Sequence, residues 1–183
     1  GQSFSLNSDA ASFLAGVSGT GDLSIALTGL FLNHGTVHGT EDISIVSANV
    51  DNRATGDLHA LNNISLDSTG GDISNAGHVY ASNELDIRSS SLVNSEEIKA
   101  VNNTDIQTDS LSNSGEIILS TVASDGASIV QITQAQNSAS AVIQSKKHVT
   151  WQGSSLSNLG SLLFGNINTD ISTFTRSELS LAS

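Results

Sequence analysis

Length, composition and charge limit the classes of protein to which this chain can belong. It has 183 residues, of which 37% are hydrophobic and only 4% aromatic, and it contains no cysteine, methionine or proline. A formal net charge of -12 argues against nucleic acid and anionic membranes as partners, because both are negatively charged. Without cysteine there can be no disulfide framework, thiol catalysis or Cys-ligated metal. Because aromatic bulk is scarce, the core must be thin, as in solenoid proteins.

Hydropathy and the missing methionine give two further expectations. The mean hydropathy is close to zero, which argues against disorder and against a membrane span. The apolar stretch at residues 26–32 is interrupted by Thr28 and Gly29, so it does not match a signal peptide or a spanning helix. Because the chain has no initiator Met, we expect it to be an internal piece of a longer protein.

The chain opens with weak strand patterns that soon become regular. Residues 1–20 contain short apolar alternations, which predict a first coil without the asparagine that marks the later coils. From Leu23 through Ile25 to Leu27, apolar residues alternate with small ones, which is the period of a β-strand with one buried face. The clearest repeats occupy residues 21–120.

An asparagine marks each repeat. A motif of the form Leu-x-Asn-x-Gly or Ile-x-Asn-x-Gly, followed by x-Val or x-Ile, recurs in phase. Copies of this motif surround Asn75, Asn94, Asn113 and Asn158, and weaker ones surround Asn33 and Asn52. In chain order, the first four spacings of these asparagines are 19, 23, 19 and 19 residues. Such a period is typical of stacked repeats.

The best coils share one template. Counted from the asparagine, apolar or small residues recur at offsets of 4, 6, 10, 12 and 17. For the coil that follows Asn75 they are Val79, Ala81, Leu85, Ile87 and Leu92. Gly, Asn, Ser, Asp and Thr between them favour turns, so each coil is predicted to hold two or three short strands.

The coil after Asn52 is four residues longer than its neighbours. Leu58 and Ala60 come two positions late, and two further residues enter within Ser68–Gly71. Insertions at turns leave a stacked core in register, and the glycines of Ser68–Gly71 predict a bulge or a protruding loop.

The template weakens toward the C-terminus. Strand-like runs persist at 129–132, 141–143 and 148–151, and we expect residues 121–183 to form less regular coils. Because no linker interrupts the pattern, residues 1–183 are predicted to be a single segment.

These patterns predict an all-β protein, a parallel β-helix (solenoid) with coils of about 19 to 23 residues. Stacking places each repeated Asn above the last, so that each amide can donate to the side-chain carbonyl of the next. Two other folds compete. An antiparallel sandwich or barrel also has regular turns but does not produce a fixed template with the same Asn. A leucine-rich repeat has a similar period but needs a longer helical segment.

The coil Asn83–Ile87, leading to Leu92-Val93-Asn94, is similar to the haemagglutinin-type repeats of filamentous haemagglutinins. These are large exoproteins of Gram-negative two-partner secretion, and they include adhesins and effectors of contact-dependent growth inhibition. The resemblance implies a right-handed parallel β-helix, export through a paired outer-membrane transporter and a place in a filament at the cell surface. Two coils depart from the motif, because Asn52 is followed by Arg53-Ala54 and Asn94 by Ser95-Glu96. We expect that these coils cannot rely on Gly for their turn geometry.

Acidic residues recur where strands are predicted to begin, at Asp22, Asp42, Asp57, Asp72, Asp86 and Asp105. Glycoside hydrolysis needs two carboxylates roughly 5 to 9.5 Å apart, but no pair is distinguished by the sequence. We interpret these residues as turn formers and solvated charges. Gly70-Gly71-Asp72 alone is a weak match to calcium-binding β-roll repeats. No catalytic residue, metal site or cofactor is predicted.

The remaining candidates are histidines and one basic patch. His34, His38, His59, His78 and His148 are expected to be exposed turn residues. His34 directly follows its asparagine whereas His78 lies three residues after its own, so these two occupy different columns. Lys146, Lys147 and Trp151 interrupt an acidic, aromatic-poor chain, so they are weak candidates for binding a partner. The alternative interpretation is that Trp151 caps or widens the core.

The resemblance leads us to expect a non-enzymatic rod of a secreted surface exoprotein, serving adhesion or target-cell contact. Two alternatives stay open: a receptor-binding module of a growth-inhibition effector, and a carbohydrate-active β-helix enzyme. The expected partners are the outer-membrane transporter during export, and then a receptor or glycan on a host or target cell. Nucleic acid is not expected, and the segment is expected to be monomeric. Function is predicted where the template is broken, at Ser68–Gly71 and around residues 146–151.

Overall fold

The computed structural model describes residues 4–13, 16–176 and 180–181, and their regular structure is entirely β. They form a parallel β-solenoid of about 8 turns with coils of roughly 20 residues. The predicted fold class is therefore confirmed, whereas the right-handed sense of the coils stays a prediction. Every strand pairing within the described ranges is parallel, which excludes the antiparallel alternatives. Over the same ranges, no helix has the length and hydropathy needed to cross a membrane.

The strands, in chain order, are β1 (Phe4–Ser8), β2 (Ala11–Phe13), β3 (Val17–Gly19), β4 (Leu23–Leu27), β5 (Leu30–Asn33), β6 (Thr36–Gly39), β7 (Ile43–Val46), β8 (Asn49–Asn52), β9 (Asp57–Ala60), β10 (Ile64–Asn75), β11 (His78–Ala81), β12 (Glu84–Asn94), β13 (Glu97–Ala100), β14 (Asn103–Asn113), β15 (Glu116–Ser120), β16 (Ala127–Asn137), β17 (Val142–Asn158), β18 (Ser161–Arg176) and β19 (Ser180–Leu181).

Pairing arranges these strands as three parallel sheets that follow the solenoid axis. The first sheet starts with β1, β4 and β7, the second with β2, β5 and β8, and the third with β3, β6 and β9. From β10 onward, one long strand crosses the corner between the first and second sheets. The third sheet continues through β11, β13, β15 and the first residues of β17. Each coil thus contributes one rung to each sheet.

The core is a narrow shaft of aliphatic side chains stacked in register. In the third sheet, Val37 pairs with Leu58, which pairs with Val79. These residues are all buried, although Leu58 comes two positions late in the sequence. The first of the two predicted insertions is therefore confined to the turn before β9, and the inward-facing positions remain aligned.

The second insertion forms a bulge at the corner between the first and second sheets. Ser68 pairs with Ser89 and Asp72 with Ser91, so three residues of β10 stand opposite one residue of β12. Gly70 has a φ of 85°, the left-handed conformation that favours glycine. The prediction of a bulge or protruding loop at Ser68–Gly71 is confirmed.

A continuous ladder of buried asparagines runs along the turn that follows the second sheet. Each side-chain amide donates to the side-chain carbonyl of the asparagine in the next coil, at 2.7 to 2.8 Å. The members, which are all buried, are Asn33, Asn52, Asn75, Asn94, Asn113, Asn137 and Asn158. The same amide nitrogens also donate to turn carbonyls, as from Asn75 to the carbonyls of Gly77 at 2.9 Å and Glu97 at 3.0 Å. The ladder therefore satisfies buried polar groups of the turn as well as its own.

Two positions in this column differ in how well the sequence predicted them: Phe13 at its start and Asn137 near its end. Phe13 pairs with Asn33, so the first coil does lack the asparagine, as expected. Asn137 was missed, because it follows Ala135 instead of Leu and has no glycine two positions later. The spacing to Asn113 is also lengthened by the loop at 121–126. Its signal in the sequence was the 21-residue interval to Asn158.

The glycine of the repeat motif serves close packing and not unusual backbone geometry. Gly77 and Gly115 do not have positive φ. A Cβ on Gly77 would lie 2.1 Å from the carbonyl oxygen of Gly56, and one on Gly115 would lie 2.1 Å from that of Glu96. Glu96 occupies the equivalent position after Asn94 with an ordinary φ. This coil therefore forms its turn without Gly, as expected from its sequence.

We predict that breaking the ladder at its centre strongly destabilises the fold. Asn94→Ala removes the acceptor of Asn75 and the donor to Asn113, and it removes the amide hydrogen bonds to the turn carbonyls of Glu96 and Glu116. The expected loss is about 2 to 4 kcal/mol of unfolding free energy, measured by urea denaturation with far-UV circular dichroism. The matched control is Asn102→Ala, which removes a half-buried rung where Asn102 donates to Asn83 at 2.6 Å. Water can replace that bond, so we expect a loss below about 1 kcal/mol. Equal losses would contradict a special role for the buried column.

Candidate functional site

A groove of about 680 Å³ follows the corner between the first and second sheets. It passes along five consecutive coils, from the bulge at Thr69 and Gly70 to Gln152 and Ser154. The groove lies where the long strands cross from the first sheet to the second. The predicted insertion at Ser68–Gly71 lies at one end of the groove.

One wall of the groove is a column of long polar side chains. Arg88, Gln107, Gln131 and Gln152 pair in succession on β12, β14, β16 and β17, and all four are exposed. The amide of Gln131 donates to the side-chain carbonyl of Gln152 at 3.1 Å. Parallel in-register stacking therefore presents one amide per coil along three coils.

The floor of the groove consists of short polar residues at the bend. Ser90, Asp109, Thr133 and Ser154 follow the corner in successive coils. Asp109 is the one carboxylate among the residues that line the groove. The groove thus offers hydroxyl and amide groups for hydrogen bonding, with little charge.

Beneath the bend lies a buried hydroxyl column that the sequence analysis missed. The Ser68 hydroxyl donates to the carbonyl of Ala48 at 2.8 Å, and the Ser89 hydroxyl to Thr108 Oγ1 at 3.1 Å. Its signal was a Ser or Thr 14 residues after three of the asparagines, at Ser47, Ser89 and Thr108. These bonds fix the corner on which the groove is built.

The bulge at the end of the groove is held by hydrogen bonds from both sides. Asp67 Oδ1 accepts the Thr69 backbone N–H at 3.0 Å and the Thr69 hydroxyl at 2.5 Å. The Asp72 N–H donates to Asn49 Oδ1 at 3.0 Å. The hydroxyl of Thr69 holds the pKa of Asp67 below its ordinary value.

The structure does not bring Lys146, Lys147 and Trp151 together as a surface patch. Lys146 is exposed, but Trp151 is fully buried beneath Val130 of the preceding coil, with its ring centroid 6.4 Å from that of Phe164. The binding prediction for Trp151 is therefore wrong, and the alternative that it fills the core is correct. Alternation within the strand explains this result, because Trp151 occupies an inward position.

Lys147 is also buried, and it has a structural contact. Its Nζ donates to Asn103 Oδ1 at 3.0 Å, and a Cβ on Gly126 would lie 3.8 Å from the same nitrogen. The lysine thus passes under the loop at 121–126 and connects coils that are 44 residues apart in sequence. A bulge between Ser145 and His148 directs this side chain inward, which a strand pattern could not predict.

Of the five histidines expected to be exposed turn residues, only His78 is exposed, and it is the first residue of β11. The half-buried ones are His34, His38, His59 and His148. His38 and His59 pair with each other, and His59 pairs with Tyr80, so the rings stack edge to face with centroids 5.1 and 4.9 Å apart. Among the described residues, no group of three or more His, Cys, Asp or Glu side chains is arranged to hold a metal ion.

Two of the recurring aspartates meet on the outer face of the first sheet, beside the groove but outside its lining. Asp86 and Asp105 pair in register, and Asp86 forms an ion pair with Arg88. Partial burial raises the pKa of Asp105, and repulsion from Asp86 and Glu84 acts in the same direction.

We predict opposite pH effects from two matched Asp→Asn substitutions. Ionised Asp105 opposes folding once the pH exceeds the ordinary carboxyl pKa, because the folded state holds its proton more tightly. Asp105→Asn should therefore raise the urea midpoint at pH 7, and the gain should disappear as the pH falls below 3.8. Asp67 has a lowered pKa, so Asp67→Asn should lower the midpoint at pH 7, and this loss should shrink in acid. Effects of the same sign would contradict these assignments.

The fold and the groove are inferred from the sequence and structure of this chain, without support from a relative. Comparison with protein-family models, with curated proteins and with solved structures gives no match. The resemblance to haemagglutinin-type repeats therefore rests on the repeat motif and on the parallel β-solenoid that the motif builds.

Proposed function

We propose that this chain is a non-enzymatic, rod-forming segment of a large secreted surface exoprotein of the filamentous haemagglutinin type. Its role is adhesion or contact with a target cell. The observation that carries the proposal is the unbroken ladder of seven buried asparagines within a parallel β-solenoid. Six of its seven members lie in strong or weak copies of the motif that carries the resemblance, and Asn137 does not match that motif.

A ladder of this kind suits a protein that must extend far from the cell surface. Each added coil lengthens the rod by roughly 4.8 Å without changing its cross-section, and each contacts only its neighbours. Backbone groups pair along the axis, so unpaired strand edges are confined to the ends of such a stack. A rod of this type carries a binding surface away from a membrane, while its sides stay inert toward other strands.

The same proposal fixes the expected partners and location. Export passes through a paired outer-membrane transporter, and the exported segment is monomeric at the bacterial surface. It then meets a receptor or glycan on a host or target cell. The negative charge of -12 supports a partner other than nucleic acid.

We predict that the purified, fluorescently labelled segment binds intact target cells in a saturable manner, measured by flow cytometry. Unlabelled segment should compete for the binding. The Asn102→Ala variant should bind like the wild type, because that rung lies away from the groove. Binding that does not saturate, or that unlabelled protein does not reduce, would count against an adhesive role.

A protection assay on target cells distinguishes the receptor-binding module of a growth-inhibition effector from a plain adhesive rod. If the segment occupies the receptor of such an effector, an excess of it should protect target cells from inhibitor bacteria in a co-culture assay. Saturable binding without protection favours a plain adhesive rod.

The enzyme alternative is supported by carboxylates that stacking places side by side, as at Asp86 and Asp105 and at Glu97 and Glu116. We predict that a panel of polysaccharides incubated with the segment yields no new reducing ends. Release that disappears in Asp105→Asn, and not in Asp67→Asn, would establish the enzyme instead.

A further inference from the structure

We propose that the groove along the corner between the first and second sheets binds a linear, uncharged glycan that lies parallel to the solenoid axis. This inference rests on the proposed adhesive function, and it names the site and the chemical class of the ligand. It is carried by the shape of the groove, its charge, and the regular spacing of its polar groups.

The shape of the groove favours an extended ligand. Five successive coils line it, from Thr69 to Ser154, so four strand spacings give a length of roughly 19 Å. Its volume of about 680 Å³ is that of a drug-sized or oligosaccharide site, and it is open to solvent along its length. A chain molecule can therefore enter from the side and continue beyond either end.

The charge of the groove favours a neutral ligand. Arg88 and Asp109 are the charged residues of its lining, so the formal charge of the lining is zero in a chain with a net charge of -12. The charge of Arg88 is also engaged by Asp86. An anionic polymer would find a single engaged cation there, together with the repulsion of the whole chain.

The polar groups repeat with the period of the coils. Gln107, Gln131 and Gln152 present one amide per coil on the wall, and Thr133 and Ser154 present hydroxyls on the floor. Amides both donate and accept, as do the hydroxyls of a sugar. A pyranose ring is about as long as the roughly 4.8 Å between strands. Two successive sugars, on β16 and β17, can therefore meet the same pair of groups, a Gln amide and a hydroxyl.

A peptide or a folded protein suits this groove less well. Peptide recognition depends on pockets for alternate side chains or on an unpaired strand edge, and protein interfaces depend on buried aromatic anchors. The lining has no aromatic residue, and its strands already pair on both sides from β12 to β17. Ile132 is the single large aliphatic residue of the lining, and it is buried.

The bulge defines one end of the site. It adds two residues to β10 that no adjacent strand has, and Asp67 and Asn49 hold it in place. The deviation from the repeat template thus forms a fixed stop at the end of a regular track. Deleting Thr69 and Gly70 would remove this stop and restore the spacing of the neighbouring coil.

The test measures binding of purified wild-type protein to cello-, xylo-, chito- and malto-oligosaccharides by isothermal titration calorimetry, with heparin and a random peptide mixture as other ligand classes. We expect at least one neutral series to bind. Its affinity should rise with chain length to about four or five sugars, the span of the groove, and then level off.

Matched variants test whether the oligosaccharide binds in the groove. Gln131→Ala should weaken binding about tenfold, the effect of losing hydrogen bonds worth about 1.4 kcal/mol. Gln136→Ala is the control, because Gln136 is an exposed amide on the same strand that does not line the groove. Thr133→Trp should block the floor and abolish binding. Urea denaturation of each variant shows whether its fold is intact.

The outcomes separate this inference from the proposed function. Binding of heparin or peptides alone, or equal binding by the Gln131→Ala and Gln136→Ala variants, overturns the glycan groove. If the protein binds cells and Gln131→Ala binds them equally well, the groove inference fails while the adhesive function stands. If groove-dependent binding of a neutral oligosaccharide occurs without binding to cells, the adhesive function fails and the groove assignment stands.

Discussion

The structure depends on the need of a buried amide for a partner in the next coil. Asn94 is fully buried, and its donor and acceptor are both used only if Asn75 and Asn113 lie directly beside it. A shift of a coil by two residues would keep its aliphatic side chains facing inward, but it would leave these amides unpaired. The asparagine column therefore selects one register from those that the aliphatic core alone would accept.

Once the register is fixed, irregularities are confined to turns and to local bulges. The four extra residues after Asn52 are divided between the turn before β9 and the bulge in β10, and Leu58 and Ile73 remain in their columns. The loop at 121–126 follows the same rule, and Lys147 is buried beneath it. The features that distinguish one coil from another therefore lie on the outside, where the groove, the histidine stack and the paired aspartates are found.

The groove illustrates how a repeat becomes a surface with chemical character. In-register stacking converts one position of the template into a line of side chains, so that Gln107, Gln131 and Gln152 act as a set. The same stacking places Asp86 beside Asp105, and this proximity raises the pKa of Asp105 together with its burial. A ligand that recognises such a surface must itself be regular at the spacing of the strands.

The sequence by itself determined the parallel solenoid, its register and the place of the insertion, because these follow from the periodic placement of Leu, Ile, Val and Asn. It also indicated that the coil before β5 lacks an asparagine. It did not reveal Asn137, since a longer loop had shifted the spacing. Only the tertiary structure decided that Trp151 and Lys147 are buried and that a groove follows the corner. Strand periodicity specifies which side chains alternate, whereas a bulge such as the one after Ser145, and the angle between two sheets, depend on contacts between coils.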